Sequence, residues 1–272
     1  MEQIKGQAQV PTPPSPEDPC LEQPARLLEW DSAFFGKRIA TVSIPQPDRE
    51  SVARLLSWCD SQQVDCLYFL VAAEDIEMTR FAEDNGFRLT DIRMTLGRSL
   101  PADIVEGAGI RMARPSDHSP MKRLAAKSFT DSRFFHDEHF SNVKCEELYS
   151  TWLERSCDGY ADRVFIAECS GLPAGFITCS LGAAEGVIGL LAVDGDFQSR
   201  GIGRALVTAA LNYFREQGMT RARVVTQGSN LRSQRLYQRC GFVTEQVQLW
   251  YHRWFTLHKA TAANPQRGTG LT

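Results

Sequence analysis

Short apolar runs at strand spacing alternate with runs at helical spacing along this chain. They fall into two stretches on either side of a proline- and glycine-containing segment at 100–109. In the first stretch, 39–44, Cys66–Ala72 and 88–96 predict strands, while 49–63 and Ile76–Asp84 show the three-and-four spacing of amphipathic helices. Asn85-Gly86 follows the second helix as a stop signal. In the second stretch a strand is predicted at 110–113, and Ser116 or Asp117 stands where the cap of a helix to about Phe129 belongs. A polar, aromatic loop (130–142) leads to a helix at 145–157. Strands at Arg163–Cys169 and 174–181 flank Ser170-Gly171-Leu172-Pro173, which reads as a hairpin turn. A strand at 187–193, a helix at 201–217, a strand at 222–226, a helix at Leu231–Arg239 and closing strands within 242–253 complete the pattern. The class this predicts is α/β or α+β, one mixed sheet with helices packed on it.

This pattern divides the chain into a smaller βα domain over 27–99, a linker at 100–109 and a larger domain over 110–257. Five prolines within Pro11–Pro19 and little apolar pattern make 1–25 a disordered tail, and 258–272 reads as a flexible one. The two stretches echo each other at an offset of 155 residues. Phe81–Phe87 (FAEDNGF) lies against Leu236–Phe242 (LYQRCGF), and Cys66–Ala72 against Arg221–Gln227. A degenerate duplication and a chance match of helix, Gly-Phe and strand both fit that echo.

Composition narrows the function. A hydrophobic share of 43% and a net charge of −3, from 30 basic and 33 acidic residues, describe a globule with no electrostatic bias toward nucleic acid or an anionic membrane. No apolar run spans a bilayer and the first residues lack a signal-like apolar stretch, so a cytoplasmic location is expected. The eight cysteines are scattered without close pairs, and Cys169 and Cys179 read as core thiols. His136 and His139 have no acidic or cysteine cluster to complete a ligand set, so no metal is expected.

The chemistry concentrates in residues 187–205, VIGLLAVDGDFQSRGIGRA. A buried strand feeds a short acidic turn, then Gln198, Ser199, Arg200, Gly201, Ile202, Gly203 and Arg204 open an amphipathic helix. Glycines at a helix start let an anion approach unpaired backbone N–H groups, and the dipole and two arginines add attraction. The bland alternative is a glycine-softened helix start with no ligand. A dinucleotide fingerprint needs a small residue where Leu206 stands, and the Gly-Lys-Ser/Thr of a P-loop is missing.

Gln198-x-x-Gly201-x-Gly203 after such a strand resembles the pyrophosphate loop of the GCN5-related N-acetyltransferase (GNAT) superfamily. Asn230-x-x-Ser233-x-x-Leu236-Tyr237-x-x-x-Gly241-Phe242 resembles that family's next helix, at the usual separation. The resemblance implies a mostly antiparallel mixed sheet splayed between its fourth and fifth strands, here 187–193 and 222–226. It implies acetyl-CoA as co-substrate, its pantetheine arm running along 189–193. Leu191, Ala192 and Val193, the 198–204 loop, Asn230 and Ser233 would contact it, and Tyr237 would act as general acid. The first stretch would be a truncated copy of the same fold. Its counterparts of Gln198, Gly201 and Gly203 are Ser43, Gln46 and Asp48, so it should bind no nucleotide this way.

The acceptor amine must be neutral to attack. A lysine side chain, at about 10.4, needs roughly 4 kcal/mol of deprotonation near neutral pH. The two flanking strands carry no acid, which suits an amine of lower pKa. Residues 30–36, 128–134, 188–192 and Thr226-Gln227 resemble the branch of the family that acetylates nucleotide-linked amino sugars. That implies a small-molecule acceptor held by the 130–142 loop. Arg133 would meet a phosphate, Phe134 or Trp30 a base or sugar, and His136 a proton. For each of these the plain alternative is packing between the two stretches or a solvated loop face. A protein N-terminal amine or another small amine is the second reading, a non-catalytic CoA-binding module the third. A homodimer is compatible with all three.

Overall fold

The computed structural model describes residues 23–44, 49–100 and 109–255. Both expected tails, apart from 23–25, and nearly all of the expected linker lie outside the described residues, as do Gln46 and Asp48. In chain order the elements are β1 (Ala25–Leu27), α1 (Glu29–Phe35), β2 (Ile39–Val42), α2 (Arg49–Ser61), β3 (Cys66–Ala72), α3 (Ile76–Asp84) and β4 (Arg88–Ser99). After the gap come β5 (Ile110–Met112), α4 (His118–Ser128), α5 (Arg133–His136), α6 (Asn142–Arg155), β6 (Arg163–Cys169), β7 (Leu172–Leu181) and β8 (Glu185–Val193). Then follow α7 (Ile202–Glu216), β9 (Arg221–Gln227), α8 (Leu231–Arg239) and β10 (Val243–Trp254).

Local chemistry explains several boundaries. Asp75 caps α3 by accepting the Met78 N–H at 3.0 Å, and Asn230 caps α8 by accepting the Ser233 N–H at 2.9 Å. Ser141 caps α6, which therefore starts three residues before the expected point. Asp117 does not cap α4 with its side chain. It pairs with Arg111 at 2.7 Å and accepts the Arg114 N–H at 2.8 Å, closing a 3-10 turn instead. Cys179 is a core thiol as expected, whereas Cys169 is only half-buried. Among the described residues no helix is long and apolar enough to cross a membrane.

Among the described residues, ten strands form one mixed sheet in the order β1-β2-β3-β10-β4-β9-β8-β7-β6-β5. Only β2–β3 and β8–β9 run parallel. The strands of the two stretches are interleaved: β10 lies between β3 and β4, and β4 lies between β10 and β9. Hydrogen-bonded pairing thus runs without a break across residues assigned to both stretches. Two apolar clusters pack mainly on one stretch each, with Leu96 of β4 joining the cluster of the second stretch and Tyr251 of β10 that of the first. α2 and α3 cover β3 through Leu55, Met78 and Phe69, and α7 and α8 cover β8 and β9 through Leu206, Phe214 and Val224. A third cluster fills the opposite face, where α4, α5 and α6 meet Tyr68 of β3, Phe176 of β7 and Trp250 of β10.

The break that matters lies between β8 and β9. They pair only from Glu185–Arg221 to Ile188–Val224. Beyond that point 189–193 and 225–227 separate, and the sheet opens where the sequence placed the splay.

Candidate active site

β8 directs its backbone into this opening. The Asp194 N–H donates to Ala174 O at 2.9 Å, and the Leu190 N–H donates to Thr178 Oγ1 at 2.8 Å, both on the β7 side. Successive peptide groups of a strand face opposite sides, so the Leu191 and Val193 N–H groups face the gap. The register against β7 shifts between Ile177 and Cys179. Gly189 stands at this bulge, where a Cβ would lie 2.6 Å from Thr178 Oγ1.

After β8 the chain turns through Gly195–Phe197, and Ser199 and Gly201 take left-handed backbone with φ of 62° and 81°. Gly201 is the cap of α7, where an L side chain would be strained though nothing crowds its Cβ position. Gly203 is small for a further reason: a Cβ would stand 3.1 Å from Leu236 Cδ2, so it lets α7 approach α8. The Ala205 N–H bonds Gly201 O at 3.0 Å. The N–H groups of Ile202, Gly203 and Arg204 therefore have no acceptor within the helix and sit at its positive end. Gln198 ties the two sides together, donating from Nε2 to Val193 O at 2.9 Å and accepting from Arg232 on α8. Arg200 is exposed and lies over the Phe197 ring at 5.6 Å.

Tyr237 projects from α8 into the same wall and is only 4% exposed. Burial, with a smaller push from Cys240, raises its phenol above the usual range, so it stays protonated.

These parts enclose a cleft of about 1430 Å³. Its walls take in 189–195, Gln198, Ser199, 201–204, 225–227, Asn230, Ser233 and Tyr237. Arg123 and Lys127 of α4, Arg204 of α7 and Arg232, Arg235 and Arg239 of α8 line it, against Asp131 and Asp194. A chain of net charge −3 thus presents a cationic cleft suited to a polyanion. The α8 arginines were legible in sequence as an i, i+3, i+7 face, a signal the motif reading passed over. Asp131, exposed at the mouth, carried no such signal.

The four acceptor candidates lie elsewhere. Arg133 is caged by aromatic faces, its guanidinium 4.4 Å from Tyr68, 4.4 Å from Phe134 and 4.1 Å from Trp250. Phe134 is buried in the α4–α6 cluster, and Trp30 stacks on Phe34 at 5.1 Å beside it. His136 is exposed, with Nδ1 3.3 Å from Thr90 O. None of the four lines the cleft; of the 130–142 loop, Asp131 alone does.

Beneath that loop a buried network fixes the sheet. Asp137 accepts from His252 Nδ1 at 2.6 Å, Trp254 Nε1 at 2.8 Å and the His139 N–H at 3.1 Å. Burial alone would raise its carboxyl, but these donors hold it below the usual range. Burial pushes His252 down to about 4 despite Asp137, so its imidazole is neutral. Asp91 on β4 is pushed up to about 6 by burial, an effect opposed by the Ile92 N–H and by His136 and Arg133.

Residues 126–242 match the family model described as "Acetyltransferase (GNAT) family". The chain carries an acetyltransferase domain of the GNAT family. Domains of this family take their acetyl group from acetyl-CoA, and this chain is an acetyl-CoA-dependent N-acetyltransferase. It is 28% identical over 229 residues to the dTDP-fucosamine acetyltransferase of Escherichia coli O6:H1, covering 83% of this chain and 96% of that one. It is 32% identical over 143 residues to the spore coat polysaccharide biosynthesis protein SpsD of Bacillus subtilis, covering 52% and 48%. A GCN5-related N-acetyltransferase from Sphaerobacter thermophilus superposes with a TM-score of 0.61 at 16% identity, covering 85% of this chain and 76% of that one. That likeness concerns the fold, and the GNAT sheet with its splay agrees with the sequence expectation.

Proposed function

We propose that this GNAT domain transfers the acetyl group of acetyl-CoA to the amine of a nucleotide-linked amino sugar. The observation that carries the transfer is the coincidence, in one cleft, of the free α7 N–H groups, six lining cations and the Tyr237 phenol at the sheet opening. The amino-sugar acceptor is supported by the likeness to the E. coli enzyme over nearly its whole length.

The residues fit the cofactor's chemistry. The N–H groups of Ile202, Gly203 and Arg204 hold the pyrophosphate, and Gly201 permits the turn that presents them. Arg232 and Gln198 stand at the same mouth, while Asn230 and Ser233 set the α8 start beside it. Leu191 and Val193 N–H groups pair with the pantetheine amides and meet the negative charge that develops on the thioester oxygen, with Ala192 packed behind them. When bound, acetyl-CoA supplies an activated thioester carbonyl. The acceptor nitrogen would bond to that carbonyl carbon as the carbon–sulfur bond breaks. Tyr237 would give its proton to the departing sulfur, the proton shed by the acylated nitrogen would pass to solvent, and Tyr237 would be reprotonated from solvent. No acid stands on 187–193 or 222–226, and an amino-sugar amine of modest basicity suits such a site.

The test is a CoA-thiol release assay across dTDP- and UDP-linked amino sugars and N-terminal peptides. Turnover confined to the sugar nucleotides supports the reading; robust peptide turnover without sugar activity overturns the acceptor.

A further inference from the structure

Arg93 of β4 stands one strand beyond the cleft. Its cross-strand partner on β9 is Gln227, which lines the cleft, and its neighbour Thr95 pairs with Val225, which lines it too. Cross-strand partners share a face. Leu96 and Val224 lie under α7 and α8, whereas Trp250, opposite Asp91, packs among α4–α6. Arg93, Thr95, Val225 and Gln227 therefore share the face opposite α7 and α8.

The Arg93 guanidinium is half-buried and meets neutral partners only. Nη1 donates to Thr95 Oγ1 at 3.2 Å and to Gln248 Oε1, while Nε is buried without a partner. No carboxylate pairs with it among the described residues; its charged neighbours are Arg223 and Arg133. Arg223 is itself tied to Glu185 at 2.9 Å, and its own Nε is buried without a partner. Burial and then repulsion by these two cations lower Arg93 to about 10, so it remains charged at neutral pH. A charge held out of water beside like charges is costly unless an anion answers it.

We infer that Arg93, oriented by Gln248 and Thr95 and backed by Arg133 and Arg223, is the binding site for a phosphoryl group of the acceptor. The first stretch of the chain, whose sequence has Ser43, Gln46 and Asp48 where the second has Gln198, Gly201 and Gly203, thus contributes through β4 the cation that reads the acceptor. This rests on the proposed function, because only an acceptor that carries a diphosphate needs the site.

The test uses the full chain saturated with CoA, so that the α7 loop is occupied, and reads thermal shift with dTDP, UDP or inorganic pyrophosphate as probe. The wild type is expected to show a dose-dependent shift with the nucleoside diphosphates. Arg93→Gln is expected to bind them roughly 10- to 100-fold more weakly, with its CoA shift unchanged. Arg93→Lys, which keeps the charge and loses the fork, should fall between the two. With the amino-sugar nucleotide and the free amino sugar as paired acceptors, Arg93→Gln should raise KM for the first and leave the second as it was. An intact CoA shift with no diphosphate shift in the wild type overturns the inference and leaves acetyl transfer standing. So does an unchanged diphosphate shift, or equal KM losses for both acceptors, in Arg93→Gln. A missing CoA shift overturns the proposed function, and the inference with it.

Discussion

Arg93 on β4 and Gln248 on β10 face each other across a strand pair, joined by a side-chain hydrogen bond, and lie 155 residues apart. That interval is the one at which the two stretches of sequence echo each other. The outer pairings obey it as well: Gln248 pairs with Ala72, and Arg93 pairs with Gln227, the counterpart of Ala72. The unit β3-α3-β4 and the unit β9-α8-β10 are therefore related by an internal pseudo-twofold passing near Arg93 and Gln248, each lending its last strand to the other. The order β3-β10-β4-β9 is the direct record of this exchange.

The exchange predicts that the second stretch cannot fold by itself. A fragment spanning 109–255 loses β4, which bares the edges of both β9 and β10 and uncovers Leu96's place in the core. Circular dichroism and size exclusion should show it unfolded or aggregated. A monomeric, cooperatively melting fragment with CoA affinity would refute the coupling.

Tyr237→Phe removes one oxygen from a buried ring that keeps its edge contact with Phe242 at 5.6 Å. Turnover is expected to fall by about 10²- to 10⁴-fold, while acetyl-CoA affinity stays within roughly twofold of the wild type, since the hydroxyl acts on the leaving sulfur. Single-turnover kinetics with paired calorimetry read both quantities.

The two loop glycines should fail differently. Gly201→Ala must hold φ near 81° with a Cβ, a cost of about 1–2 kcal/mol. Gly203→Ala instead meets Leu236 Cδ2 at 3.1 Å. Its loss of stability should be recovered in part by Leu236→Ala, while Gly201→Ala gains nothing from that change. A double-mutant cycle in urea separates the two.

Acid should weaken the fold through His252. Its folded value lies near 4, below the ordinary 6.5, so the unfolded chain binds more protons between those values. The contribution of His252 is therefore full above about pH 6.5 and is lost as pH falls toward 4, by at most about 1.4 kcal/mol per pH unit. Asp91, its carboxyl pushed up to about 6, works in the opposite sense below about pH 6 and offsets part of that loss. Asp137, held below its usual range, adds a further loss in stronger acid. His252→Asn should be less stable at neutral pH yet show a flatter profile between 6.5 and 4 in urea midpoints.

Much of this fold was legible because its signals are local. Cys66–Ala72, Ile76–Asp84, Arg163–Cys169 and Leu231–Arg239 begin and end where apolar spacing and caps place them. β1, α1 and α5 were missed: α1 begins after Leu28, which offers no side-chain cap, and α5 is a single turn within an aromatic loop. The interleaving of strands was not legible, since a strand's own pattern is the same whichever neighbour it takes. Arg133 shows the same limit at the site. Its charge reads as a phosphate ligand, and only the convergence of β3, α5 and β10 encloses it among Tyr68, Phe134 and Trp250.

Everything proposed for the cleft depends on the amides that open α7 gripping a diphosphate. Hydrogen exchange over peptides covering 198–204 reads them directly, with CoA compared against S-acetylpantetheine, which has no pyrophosphate. Slower exchange at Ile202, Gly203 and Arg204 with CoA, and not with the truncated compound, is the predicted result. Unchanged exchange at saturating CoA would contradict the account.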